Sequence, residues 1–220
     1  MIKEKDVLKQ ALEVEKELKE EVSRSKSPLW YILGILLALL IIIMIIPHYS
    51  VRLDPEPSKI PAINEVVRLI DINESVFDRI TLDMIDGSDP FVKEVADRIA
   101  SLSCESNKVC HAKAMFYFVR DNFDYVSDPN AVEYVKSAKM SLFVSAIDCD
   151  DGAVLLSNLM DAIGIRWRFV FIPGHVYVEI LLPEALNRYK QENEWIPLDV
   201  TCKNCEFGEL PYQNADKPKT

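Results

Sequence analysis

Leu29 to Ile46 is an unbroken apolar run of about 18 residues, the lower end of the length that crosses a bilayer as a helix. No face of it is polar, so it lacks the amphipathic pattern of a helix lying on a soluble core. Trp30, Tyr31 and Tyr49 stand at its two ends, where interfacial aromatic residues concentrate. A cleaved leader fits poorly, because a long segment of mixed charge precedes the run and no small-x-small site follows Ile46. Residues 28–46 are therefore expected to form a single transmembrane helix, with Leu29–Ile46 as the contact with the membrane. Arg24 and Lys26 precede it closely, whereas Arg52 and Lys59 follow at greater distance. That bias places the N-terminus in the cytoplasm and the C-terminal domain outside it.

The flanking segments divide the remaining chain. Residues 1–27 mix Lys and Glu, and Val7, Ala11, Val14 and Leu18 recur at four-three-four spacing, the seam of a charged cytoplasmic helix. So few heptads are marginal alone, so the segment reads as a solvated helix or a site of weak self-association. Residues 47–62 hold Pro55, Pro57 and Pro61 among charged residues, a Pro-rich linker of stiff character. Residues 63–215 are left for one domain of ordinary size. The formal net charge of −10 and the lack of a basic stripe with interleaved aromatics argue against a nucleic-acid partner. No glycine-rich phosphate loop is present, and no cofactor is expected.

Within that domain, Ile63 to Ile80 carries apolar residues at helical spacing (Ile63, Val66, Val67, Ile70) up to Asn73-Glu74-Ser75, which is also a glycosylation sequon. Ser88-Asp89-Pro90 opens a clearer helix with Phe91, Val92, Val95 and Ile99 as its buried face. Another helix is expected from about Lys108 to Asn122, and Tyr125 to Lys139 reads as a loop. After Gly164 the period changes to that of strands. Ile165–Ile172 and His175–Leu181 flank the turn signal Pro173-Gly174, which predicts a hairpin. Glu194–Val200 is a third strand, placed at an edge by Pro197.

Between the second helix and the hairpin lies Asp148-Cys149-Asp150-Asp151-Gly152-Ala153. Asp148 and Asp151 match an acidic capping box, and Val154, Leu155, Leu159, Met160 and Ile163 continue as a helical apolar face ended by Gly164. Cys149 then sits in the first turn, where unpaired backbone N–H groups favour a thiolate. The three aspartates oppose this, so the thiol needs a cation beside it. Alternation at a helix start does not aim three carboxylates at one ion, so a metal site is not favoured here.

His175 opens one strand and Asp199 lies near the end of the next. If those strands are antiparallel neighbours, the imidazole and the carboxylate meet. A nucleophile, a base and a group that orients the base are the parts that thiol acyl transfer requires. The expected assignment is Cys149 as nucleophile, His175 as base and acid, and Asp199 as orienter, with the thiol titrating below its ordinary value. The other cysteines are Cys104, Cys110, Cys202 and Cys205. They permit disulfides or one structural zinc, and the external location favours disulfides.

These residues resemble the transglutaminase-like superfamily. The stretches that carry the likeness are Asp148-Cys149-Asp150-Asp151-Gly152-Ala153, Gly164-Ile165, Gly174-His175-Val176-Tyr177-Val178-Glu179, Trp195 and Leu198-Asp199-Val200-Thr201, with Tyr117 to Tyr125 upstream. The likeness spans about Ser88 to Glu209. It implies an α+β, papain-like transglutaminase core. The nucleophile helix would pack on a small antiparallel sheet, with a helical N-terminal part and, here, one transmembrane helix before it. It also implies a Cys-His-Asp triad at Cys149, His175 and Asp199, acting as a cysteine protease, amidase or acyltransferase on a protein or peptide substrate. Ile147, Tyr177 and Val200 depart from the family pattern beside the triad and bear on substrate fit. Hydrolysis is favoured, since water needs no second binding site. The alternative is a non-catalytic peptide- or cell-envelope-binding module on the same fold.

Overall fold

The computed structural model describes residues 4–24, 28–68, 77–129 and 134–219. Ile70 and the sequon Asn73-Glu74-Ser75 lie outside the described residues. The chain forms two compact units, Met1–Ser50 and Val51–Thr220.

The first unit is helical. Helix α1 spans Glu4–Arg24 and exposes Val7, Leu8, Leu12, Val14 and Leu18 among charged residues. Helix α2 spans Pro28–Leu53, and its stretch Pro28–Ile46 has a mean hydropathy of 3.1 with none of it buried. Among the described residues it is the one helix long and apolar enough to cross a membrane.

In the second unit, helix α3 is only Ile63–Val66, shorter than the apolar spacing predicts, because the chain turns extended at Val67. Helix α4 (Pro90–Ser103) starts on Asp89, whose carboxylate accepts the N–H groups of Phe91 and Val92. Helix α5 (Lys108–Asn122) starts likewise on Asn107. Strand β1 (Asp124–Tyr125), helix α6 (Ala138–Val144) and strand β2 (Ala146–Ile147) follow, and the described residues between β1 and α6 form the expected loop, apart from an isolated bridge of Val135 to Phe77. β1 and β2 pair in parallel, with Tyr125 opposite Ile147.

Helix α7 (Cys149–Ala162) is the centre of the domain. Its residues from Asp151 to Met160 are all buried, and Gly164, at φ +69°, ends the turn after it. Helices α4, α5 and α6 pack on one side of α7, and a three-stranded antiparallel sheet packs on the other. That sheet is β3 (Arg166–Ile172), β4 (His175–Leu181) and β5 (Trp195–Leu198), in that spatial order. Pro197 does sit on an edge strand, where its missing N–H leaves no broken ladder. Val176, Val178, Ile180, Ile196 and Leu198 form the inner face against α7. The outer face carries Val170, Ile172 and Tyr177, covered in part by Leu210 ahead of helix α8 (Tyr212–Ala215). A helix bearing Cys149 packed on a small antiparallel sheet is the expected α+β arrangement.

Residues 54–61, read from sequence as a spacer, are instead held against the domain. Asp54 and Glu56 both bind the ammonium of Lys113. The Ser58 N–H donates to Ser103 O at 2.8 Å, and the Asn122 carboxamide donates to Pro61 O at 3.1 Å. The prolines stiffen a segment whose polar groups are already satisfied by the domain, so it packs as part of it. Cys104–Cys110 and Cys202–Cys205 are disulfides, which leaves no four-thiolate set for zinc.

Candidate active site

The N-terminus of α7 is built by a reciprocal cap. Asp148 Oδ1 accepts the Asp151 N–H at 3.0 Å, and the Asp148 N–H donates to Asp151 Oδ2 at 3.3 Å. Asp151 is fully buried, and it also accepts the Lys136 N–H at 2.6 Å and pairs with the Lys136 ammonium. Asp151 is therefore a structural carboxylate. Gly152 lets this first turn approach the strand end closely, for a Cβ there would lie 2.8 Å from Val200 Cγ2.

Cys149 is the free cysteine among the described residues. Its thiol donates to Asp150 Oδ1 at 3.4 Å, and the Val176 N–H, next to His175, faces the sulfur. Burial, followed by the charge of Asp150, pushes the thiol up to about 12. The expected depression of the thiol is thus reversed: the Val176 N–H favours the thiolate, but desolvation and the adjacent carboxylates outweigh it. Burial and neighbouring carboxylates likewise raise Asp148 to about 6 and push Asp150 up.

His175 Nε2 and Asp199 Oδ2 are 2.8 Å apart. The strand register explains the meeting. Val178 lies opposite Leu198, so the continuation places Asp199 opposite Tyr177, diagonal to His175 on the same face of the sheet. The His175 side chain is 14% exposed and that of Asp199 2%. Asp199 Oδ1 is held by the Thr201 hydroxyl at 2.7 Å and the Thr201 N–H at 3.1 Å. Burial opposes the charge on Asp199, yet His175 and Thr201 together hold its carboxyl below the usual range. With Nε2 committed to Asp199, Nδ1 is the ring nitrogen left for a proton transfer. Among the described residues no hydrogen bond joins His175 to Cys149; the link between them is the neighbouring Val176 amide.

His175 and Asp199 line an open cleft of about 370 Å³. Tyr125, Thr201 and Cys202 contribute to it, and Gln213, Asn214 and Lys217 form a wall from the C-terminal segment. Sequence reasoning gave no role to Thr201, Tyr125 or that wall. Thr201 carried a local signal, since a hydroxyl two residues after an aspartate often closes on its carboxylate. Tyr125 ends a stretch that resembles the family without a role being assigned to it, and the wall carried no signal, because long-range packing brings it to the cleft. Among the described residues no cluster of His, Cys, Asp or Glu is arranged to hold a metal ion.

No curated protein and no solved structure matches the chain. Residues 93–200 match the family model described as the transglutaminase-like superfamily. The match starts in α4 and ends just past Asp199, so it takes in α7, the hairpin and β5. The domain built around α7 belongs to the transglutaminase-like superfamily.

Proposed function

We propose that the protein is a membrane-anchored cysteine enzyme that cleaves or transfers an amide acyl group through Cys149, His175 and Asp199, with hydrolysis favoured. The observation that carries this reading is the 2.8 Å His175–Asp199 contact, at the strand end whose next amide faces the Cys149 thiol. Family membership supports cysteine chemistry in general.

Because the thiol sits near 12, it is protonated at rest, which favours general-base activation over a standing ion pair. The Cys149 sulfur bonds to the substrate carbonyl carbon as its proton passes to His175 Nδ1. The charge of Asp199 stabilises the imidazolium and fixes the ring. Collapse breaks the C–N bond and returns that proton to the leaving amine. Water then attacks the thioester, gives its proton to His175, and releases the acid and the thiol; an amine in place of water would yield a new amide. The backbone N–H groups of Cys149 and Asp150, in the unsatisfied first turn of α7, are suited to hold the oxyanion.

The disulfides Cys104–Cys110 and Cys202–Cys205 favour an oxidising compartment for this domain, with α2 as the anchor and α1 on the cytoplasmic side. In this reading the substrate is a protein or peptide outside the cytoplasm, and α1 supports at most weak self-association. One observation favours the second reading, a peptide-binding module without turnover: the thiol is raised and hydrogen-bonded to Asp150.

The two readings separate on the rate at which iodoacetamide alkylates Cys149 as a function of pH. For the enzyme, His175→Ala is expected to slow alkylation near neutral pH about 10²-fold or more, the range of positioned proton transfer. Equal rates in wild type and variant would leave the binding module as the better account.

A further inference from the structure

The C-terminal segment lines the cleft of the dyad with polar groups that the protein itself engages little. Asn214 is only 7% exposed, and its side-chain carboxamide has no hydrogen-bond partner among the described residues. It nevertheless lines the cleft beside His175 and Asp199. The carboxamide is not sealed from solvent, so a ligand in the cleft can reach it. A carboxamide offers both donors and an acceptor, the complement of a peptide group. Three residues on, the Lys217 ammonium also lines the cleft. It donates to the Pro173 carbonyl at 3.4 Å and has no carboxylate partner among the described residues. That is unusual in a chain with 35 acidic against 25 basic residues. Neither Asp148 nor Asp150 lines this wall, and the charge of Asp199 is taken up by His175 and Thr201. Lys217 therefore gives this wall a single cationic group in an otherwise acidic neighbourhood.

We propose that Asn214 and Lys217 form a substrate subsite that pairs a peptide group with the Asn214 carboxamide and a carboxylate with the Lys217 ammonium, so that the substrate is an acidic peptide. This rests on the reading of the His175–Asp199 cleft as the place where an acyl substrate lies, and it names that substrate's class.

The test is protection of Cys149 from iodoacetamide in the full-length chain held in detergent micelles. The probes are capped dipeptide amides that differ only in carrying Glu, Gln or Lys, together with an alanine dipeptide that has a free C-terminal carboxylate. The Glu peptide or the free-carboxylate peptide is expected to protect at roughly three- to tenfold lower concentration than the Gln peptide, the size of one partly exposed charge-assisted contact. Which of the two protects tells whether the carboxylate is a side chain or a chain terminus. Lys217→Gln should bring that ratio to about one. Asn214→Ala should weaken protection by the Glu and Gln peptides in equal proportion, with melting temperature reporting that the fold is kept. No carboxylate preference in the wild type, or a preference that survives Lys217→Gln, overturns the subsite. The enzymatic reading fails separately, if alkylation without peptide ignores the loss of His175.

Discussion

Two places in this domain bury charge, and they do so with opposite outcomes. Around Lys113, which is fully buried, the ammonium meets Asp54 at 2.6 Å, the carboxylate of Glu56 and the Tyr189 hydroxyl at 3.1 Å, under the Tyr189 ring. Burial alone would discharge Lys113 and Asp54, yet each is held in its charged form by the other and by Tyr189. At the start of α7, Asp148 and Asp150 crowd a half-buried thiol, and burial pushes all three groups toward their neutral forms. With the Arg188 guanidinium, which also pairs with Asp54, the first cluster has two cations for two carboxylates and ties residues 54–56 to the domain. The second is left unmatched beside the thiol proposed as nucleophile, the pattern of sites that move protons. Cost to the fold should therefore separate from cost to chemistry when each is altered.

The largest effect is expected on the chemical side. Asp199→Asn keeps an oxygen for Thr201 but removes the charge that faces His175. Acyl turnover should fall by about 10³–10⁴, as when a triad carboxylate loses its charge, with little change in unfolding midpoint. A rate within tenfold of wild type would show that His175 needs no orienting charge, and the contrast between the clusters would lose its chemical half.

Removing the matched cluster should instead unfold the domain. A chain beginning at Val51 keeps Asp54 and Glu56, whereas one beginning at Ala62 leaves the Lys113 ammonium buried without a carboxylate. Breaking a buried pair from one side destabilises by about 3–5 kcal/mol. Urea unfolding of the two truncated forms measures the difference. Equal stability would mean that water or another group reaches Lys113 in the absence of the strap.

What the sequence conveyed follows the range of the forces. The starts of α4 and α7 were legible because Asp89 and Asp148 cap their own helices within three residues, and the end of α7 was legible from Gly164. The hairpin followed from alternation around Pro173-Gly174, whereas the face shared by His175 and Asp199 depended on the β4–β5 register, in which a slip of one residue would have parted them. Three further features were not legible. α3 stops after Val66 although the apolar spacing continues, because nothing in the spacing records that Val67 turns extended. The ties of Asp54 and Glu56 to Lys113 span 59 and 57 residues and have no local signature. The thiol was expected low from an imidazolium beside it and its place at a helix start, but its burial depends on packing against β4 and its pull from Asp150 on side-chain direction.

The smallest predicted effect is also the most direct reading of the unmatched cluster. Asp148 titrates near 6 in the folded chain, above the ordinary 3.8, because burial and then the nearby carboxylates disfavour its charge. Between those two values the folded state holds more protons than the unfolded one, so stability falls as pH rises through the window and stays at the lower level above it. Asp148→Asn retains a capping oxygen for the Asp151 N–H, since Asn caps as well as Asp, and carries no charge to bury. The substitution should leave stability near pH 4 unchanged and raise it by about 1 kcal/mol at pH 8, below the full value of the shift because the neighbouring carboxylates adjust when one charge is removed. Urea unfolding of the form beginning at Val51, at both pH values, gives the comparison. A gain of the same size at pH 4 and pH 8 would point to a packing effect. A loss at pH 8 would mean that the Asp148 charge is matched in the way that of Asp54 is, and the two clusters would then be of one kind.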